Sequence, residues 1–312
     1  MTVGHSFRMQ ELVTDMQVAD IYQPVVPRRE TRHTCRGVEF TVHEWGASDK
    51  PLMFYLHGWG DCGRTFQFVV DQLQSAWHVV APDLRGFGDS AADVAAYWFP
   101  DYLADLDALL EIYSVDAPVR LVGHSMGGNI VGLYAAAMPE RVAAFVNLEG
   151  FGLADTDPAE APDRYRRWLL AGRAVAAFQA YPDYHSLAER ISKRNPHTSA
   201  ARAEFVARCW AEQQGHELVL RADPLHKLPN PVLYRRAESE ACWRRVRAPV
   251  LLVEGADSAL AAREHGVADA EAPELSFPNA TRCTIPGSGH MLHFDAPDKL
   301  AIVIEDFFTT IP

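Results

Sequence analysis

The chain has 312 residues, 48% of them of hydrophobic types, and carries a formal net charge of −12 at pH 7. That length suits one large α/β unit with an insertion, and the apolar fraction is ample for its core. The acidic excess repels polyanions, which excludes nucleic acid and anionic membranes as partners and leaves a small-molecule substrate as the expected one.

No apolar run reaches the ~18 residues of a membrane helix, and the N-terminus has no basic region leading into an apolar signal core. A cytoplasmic location is therefore expected. Cys35, Cys62, Cys209, Cys242 and Cys283 are odd in number, widely spaced and free of CxxC pairs. That pattern argues against a disulfide framework or a zinc site and for reduced thiols in or near the core.

In chain order, residues 1–29 contain Pro24 and Pro27 and form an N-terminal arm ahead of the first strand pair. Residues 30–151 alternate strands with helices, as a parallel sheet with crossovers requires. Leu52 to Leu56 is a buried strand running into His57-Gly58-Trp59-Gly60, with an amphipathic run from Thr65 to Ala76 behind it. Val79 to Pro82 is the next strand, opening into the loop Asp83 to Ser90. A helix is predicted around Asp101 to Tyr113, a strand over Val119 to Val122, and a helix around Gly128 to Met138. Ala144 to Leu148 forms a further strand, followed by Glu149-Gly150.

After Phe151 the alternation stops, and residues 152–247 show helical spacing, for example from Arg164 to Gln179 and from Ser199 to Gln214. This is an inserted helical cap. Ala248 to Val253 resumes the core, which with residues 30–151 spans 248–312. The last strand, at Thr284-Ile285, leads into Pro286-Gly287-Ser288-Gly289-His290.

The chemistry concentrates in Gly123-His124-Ser125-Met126-Gly127-Gly128, where a strand meets a helix. A G-x-S-x-G turn in that setting strains the serine backbone and holds the hydroxyl clear of the sheet, making Ser125 a candidate nucleophile. A glycine-flanked histidine after the last strand, His290, can reach it as a base. His57 and His124 are expected to support loops. Asp223 and His226, in a proline-bearing loop, fall short of the three or four ligands of a zinc site. Gly86-Phe87-Gly88 lacks the G-x-G-x-x-G spacing of a dinucleotide loop, so no cofactor is implied.

These motifs, in this order, resemble the α/β-hydrolase superfamily, in its serine-nucleophile branch with a helical cap, from about Glu30 to the C-terminus. The resemblance implies a mostly parallel central sheet flanked by helices, with the cap inserted. It makes Ser125 the nucleophile and His290 the base, with His293 in a structural role. The backbone amides of Trp59 and Met126 would form the oxyanion hole. The side chains of Trp59, Phe151 and Trp168 are candidate substrate contacts.

The acid departs from the commonest pattern of the family. Most members place an Asp three residues after the glycine ending the penultimate core strand; counted from Gly255, that position is Ser258, with Asp257 one residue early. Some members carry the acid after the strand that follows the elbow helix, which here is Glu149. Both Glu149 and Asp257 stand as candidates.

A serine at the elbow, in place of the Asp of epoxide hydrolases and haloalkane dehalogenases, implies an acyl-enzyme route. The expected activity is hydrolysis of a carboxylic ester of a small or medium apolar substrate. Carbon–carbon bond cleavage of the meta-cleavage-product type, thioester or lactone hydrolysis, and a hydrolase-like receptor with little turnover are the alternatives.

Overall fold

The computed structural model describes residues 21–91, 94–261 and 277–311. It opens on an antiparallel ribbon, β1 (Arg28–Cys35) and β2 (Val38–Trp45), joined at Arg36-Gly37. The core continues through β3 (Leu52–Leu56), α1 (Gln67–Val70), β4 (His78–Pro82), α2 (Phe99–Tyr113), β5 (Val119–His124), α3 (Met126–Ala137) and β6 (Val142–Leu148). The inserted segment holds α4 (Ala161–Ala171), α5 (Tyr184–Arg194), α6 (Ala200–Trp210), the hairpin β7 (Ala211–Gln214) and β8 (Glu217–Leu220), and α7 (Arg236–Trp243). The core then resumes with β9 (Val250–Gly255), β10 (Ala280–Ile285), α8 (Leu292–Asp295) and α9 (Pro297–Thr309).

Eight strands form one sheet in the order β1-β2-β4-β3-β5-β6-β9-β10, antiparallel at its first two pairings and parallel from β4 onward. Side chains alternate across each strand, so β3 feeds two layers. Phe54 and Leu56 pack with Leu106 and Leu109 of α2 and Ile130 of α3. Met53 and Tyr55 pack on the opposite face with Val69 of α1 and Leu300 and Phe308 of α9. Covered on both faces, the central strands read as continuous apolar runs. Parallel pairing sends the loops after β3, β5, β6, β9 and β10 to one edge of the sheet, where a site can be assembled.

The inserted segment is less helical than its spacing suggests. The run expected over 164–179 is helical only as α4, which ends at Gly172. The run over 199–214 splits: Ser199 caps α6 through its hydroxyl, and the chain then turns extended at Ala211. Tertiary packing overrides local propensity here, because β8 buries Leu218 and pairs it with Tyr181. Gly215, at φ 62°, supplies the tight turn of the hairpin. The run from Thr65 to Ala76 likewise shortens to one turn of 3-10 helix and α1.

A third cluster joins the insert to the core, with Leu187, Ile191, Phe205 and Leu218 packed against Phe68 and Phe294. The described end of the N-terminal arm joins it: the Tyr22 ring meets Phe68 at 4.8 Å, its hydroxyl donates to Asp71 at 2.7 Å, and its amide donates to Ala201 O at 3.1 Å. Residues 1–20 of the arm lie outside the described residues. All five cysteines are free thiols, with Cys35, Cys62 and Cys209 buried. Among the described residues no helix is long and apolar enough to cross a membrane.

His226 and Asp223 seat the insert on the core loop Asp83 to Ser90. The His226 ring is sandwiched between Phe87 at 3.8 Å and Tyr97 at 3.5 Å, while Asp223 accepts from the Tyr97 hydroxyl at 2.8 Å and from Leu225 N at 2.9 Å. Burial in that stack lowers the His226 pKa from 6.5 to about 4. Between those values the unfolded chain binds a proton that the folded one refuses, so stability rises with pH across this window. We predict that His226→Phe, which keeps the stack, removes up to ~3 kcal/mol of this rise. Urea unfolding of both proteins across the window checks this, and parallel stability–pH curves would refute it.

Candidate active site

Ser125 sits between β5 and α3 with φ 50° and ψ −111°, a conformation strained for a residue with a side chain. Such strain costs ~1–3 kcal/mol and survives only where the surroundings over-determine it. Here Ser125 N donates to Leu148 O at 2.7 Å, and Asn129 N donates to Ser125 O at 3.1 Å, locking the turn to β6 and to the first turn of the helix. A Cβ on Gly127 would stand 2.1 Å from Leu56 O, so only glycine lets α3 come this close to β3.

Glu149 follows β6 in a second strained position, at φ 54°, and is 2% exposed. Asn147 fixes this turn, accepting from Gly150 N at 2.7 Å and donating to Gly150 O at 3.0 Å. The carboxylate accepts from Gly255 N at 2.8 Å through Oε1, and through Oε2 from the Ser258 hydroxyl and His290 Nδ1, both at 2.7 Å. With Nδ1–H donating to the carboxylate, His290 Nε2 keeps its lone pair for an incoming proton. Gly289 N donates to Asp295 Oδ2 at 2.9 Å and the Ser288 hydroxyl to Ile285 O at 2.9 Å, holding the histidine loop.

Of the two candidate acids, only Glu149 meets His290. Asp257 is turned outward with its side chain 53% exposed, and its Oδ2 lies 3.1 Å from Nε2 of His197 in the insert. The one-residue difference from Ser258 decides this: Ser258 points inward to Glu149, and its neighbour therefore points out.

The loop after β3 lies against the elbow, since a Cβ on Gly58 would stand 3.3 Å from Ser125 Cβ. His57 secures it, donating from Nδ1 to Gly58 O at 2.7 Å and accepting at Nε2 from Leu84 N at 2.8 Å. Burial lowers the His57 pKa and keeps the ring neutral for this double duty. Met126 supplies the first amide of α3, an N–H with no partner inside the helix and backed by its dipole. Trp59 is 54% exposed and borders a cavity of about 500 Å³ that also meets Met291, the neighbour of His290. Phe151 is instead 4% exposed in the core, and Trp168 lies on α4 away from the walls of this cavity.

A second acid–histidine pair, not legible in the sequence, lies near the first, with the His124 ring between the two histidines. Asp61 Oδ2 accepts from His293 Nε2 at 3.0 Å, Asp61 Oδ1 from Trp210 Nε1 of α6 at 2.7 Å, and both oxygens face the Thr65 hydroxyl. The His293 ring lies 4.6 Å from that of His124, whose Nε2 donates to His290 O at 2.9 Å. Burial, then the charges of His293 and His290, drive the His124 pKa far down, so it serves as a neutral strut. Burial alone would raise the Asp61 pKa; the hydrogen bond and charge of His293 and the Trp210 donor hold it below the usual range.

Asp61, His124 and His293 bring ligand-type atoms within 4.8 Å of one another. The Asp61 oxygens are already taken by three donors, so the set is assembled as a hydrogen-bonded network. The only sequence signal for it is the position of Asp61 just after His57-Gly58-Trp59-Gly60 and of His293 three residues after His290.

This fold and elbow belong to the α/β-hydrolases, and the family model described as the alpha/beta hydrolase fold matches residues 51–297. The chain is a member of that family. It is 27% identical over 272 residues to a serine hydrolase-like protein of Danio rerio, covering 84% of this chain and 83% of that protein. It is 30% identical over 284 residues to the 3-hydroxybutyrate-oligomer hydrolase of Cupriavidus necator, covering 86% of this chain and 92% of the relative. A hypothetical protein from Pseudomonas aeruginosa PAO1 superposes with a TM-score of 0.80 at 27% identity, covering 90% of this chain and 99% of that one. Several relatives of this chain are hydrolases by name, and one is a lipase of Mycobacterium tuberculosis.

Leaving one member of a buried hydrogen-bonded pair unsatisfied costs ~1–3 kcal/mol, because that group has lost water without gaining a partner. We predict that Asp61→Asn loses ~1–3 kcal/mol of stability at pH 7, because the amide keeps one acceptor but loses the other. Chemical denaturation measures it, and a loss below ~0.5 kcal/mol, the level of an ordinary surface substitution, would show the pair to be dispensable.

Proposed function

We propose that the protein is a serine hydrolase that cleaves a carboxylic ester through an acyl-enzyme. The observation that carries this is the 2.7 Å contact from His290 Nδ1 to the buried carboxylate of Glu149, on the same sheet edge as the strained Ser125. A buried carboxylate there fixes the imidazole tautomer and stabilises the imidazolium formed during attack.

On this reading Ser125 Oγ attacks the ester carbonyl as His290 Nε2 takes its proton. The amides of Met126 and Trp59 receive the oxyanion, each contributing about 3 kcal/mol. The tetrahedral intermediate collapses, the alcohol leaves with the proton from His290, and water, activated by the same histidine, releases the acid. The cavity of about 500 Å³ reaches Trp59 and Met291 but is not walled by Ser125 or His290; Leu187, Ile191 and Met291 give it an apolar character, and a small or medium substrate would extend from it to the serine. The serine hydrolase-like relative supports the same nucleophile.

The test is intact-mass analysis after treatment with a small fluorophosphonate, beside kinetics on p-nitrophenyl butyrate. The expected result is one adduct on the wild type, none on Ser125→Ala, and ester turnover lost with the adduct. Full hydrolysis by Ser125→Ala would overturn the proposal. Glu149→Gln is expected to lower kcat by ~10²–10⁴-fold, whereas Asp257→Asn stays within about threefold of the wild type. The reverse ranking would transfer the role of the acid to Asp257.

A further inference from the structure

The net charge of the chain conceals an uneven distribution. Residues 152–247 hold sixteen of the 29 basic residues but only twelve of the 41 acidic ones, so the insert is net positive within a strongly acidic protein. The cavity beside Trp59 has this insert as its outer wall. One face of α5 lines it, with Leu187, Arg190, Ile191, Arg194 and the following Asn195 at helical spacing. Leu187 and Ile191 are buried, whereas the two arginines, one turn apart, are exposed at the rim.

The charged groups of the cavity wall are not equally engaged. Arg221 pairs with Asp89 and Glu212, and Asp61 is consumed by His293, Trp210 and Thr65. Arg190 meets only neutral groups, donating to Gln179 Oε1 at 3.3 Å and lying 6.0 Å from the Tyr181 ring centre. Among the described residues neither Arg190 nor Arg194 has a carboxylate partner. Two adjacent uncompensated guanidiniums above an apolar floor suit an anion carried on an apolar chain, because a guanidinium binds carboxylate or phosphate through parallel N–H bonds.

We propose that the cavity selects substrates bearing a carboxylate or phosphate group on one side of the scissile bond, recognised by Arg190 and Arg194 with Asn195 beside them. This rests on the hydrolase reading above and narrows its substrate from apolar esters to amphiphilic, anion-terminated ones. The anion draws the substrate into the one basic wall of an acidic protein, and the apolar chain reaches past Leu187 and Ile191 toward Trp59.

Two pairs of esters test it: mono-p-nitrophenyl adipate against p-nitrophenyl hexanoate, with the anion on the acyl side, and 4-(carboxymethyl)phenyl hexanoate against 4-ethylphenyl hexanoate, with it on the leaving group. In one pair the anionic ester is expected to have about tenfold higher kcat/KM, the gain residing in KM and shrinking with added salt. In Arg190→Gln/Arg194→Gln, shown folded by its thermal melt, that ratio falls to about one. Equal or better use of the neutral ester in both pairs, or a ratio untouched by the double substitution, overturns the proposal. Calorimetric titration with adipate and with inorganic phosphate reads the same arginines without turnover and separates the two anions. Binding lost in the double variant sustains the proposal even if no ester is hydrolysed, an outcome that would sink the hydrolase reading alone; no binding of either anion and no anionic preference sinks this one.

Discussion

A carboxylate buried as deeply as that of Glu149 cannot be left without donors, and this requirement organises the edge of the sheet where Ser125 and His290 lie. The penalty for taking a carboxylate out of water is several kcal/mol, so each donor it finds is held firmly. Its donors come from three places: the backbone at the end of β9, the hydroxyl of Ser258 in the turn that follows, and the imidazole of His290 beyond β10. One side chain thus draws three separate loops to a common point. The strained backbone of Glu149 itself is tolerated because Asn147 pins the adjoining glycine from both sides.

The neighbouring pair of Asp61 and His293 does comparable work. It connects a core loop, the histidine segment and, through Trp210, the insert, while the neutral ring of His124 passes the constraint on to the backbone of His290. Burial keeps His124 uncharged, and an uncharged ring can donate from one nitrogen without repelling the histidine it supports. The site therefore stands on two buried acid–histidine contacts, and one of their carboxylates, that of Asp61, also borders the cavity beside Trp59.

Much of the fold was legible in the sequence because it is written locally. The β3 strand, the glycine-rich elbow and the histidine loop each announce themselves within a few residues, and their order constrains the rest. Which of Glu149 and Asp257 meets His290 was not legible, because a single-residue step at the end of β9 reverses side-chain direction and a residue count cannot tell which way the turn rolls. The Asp61–His293 contact spans 232 positions in the chain, beyond the reach of any local pattern. The insert misled the helical reading for a related reason: whether Ala211 to Leu220 coils or pairs depends on Tyr181, which lies far upstream. Phe151, an aromatic two residues after Glu149 and expected as a substrate contact, is 4% exposed.

The inward hydroxyl of Ser258 has an architectural consequence. With the Glu149 carboxylate at the end of β6, next to the strand that leads into Ser125, the two strained residues of the site hang from neighbouring inner strands of the sheet and owe little to its periphery. The turn after β9 is relieved of carrying a negative charge and keeps only a small neutral donor there. Its other side is free for a different task, and Asp257 uses it to grip His197 of the insert. One short turn thereby serves two parts of the molecule, holding the buried carboxylate of Glu149 with one side chain and meeting the inserted segment with its neighbour.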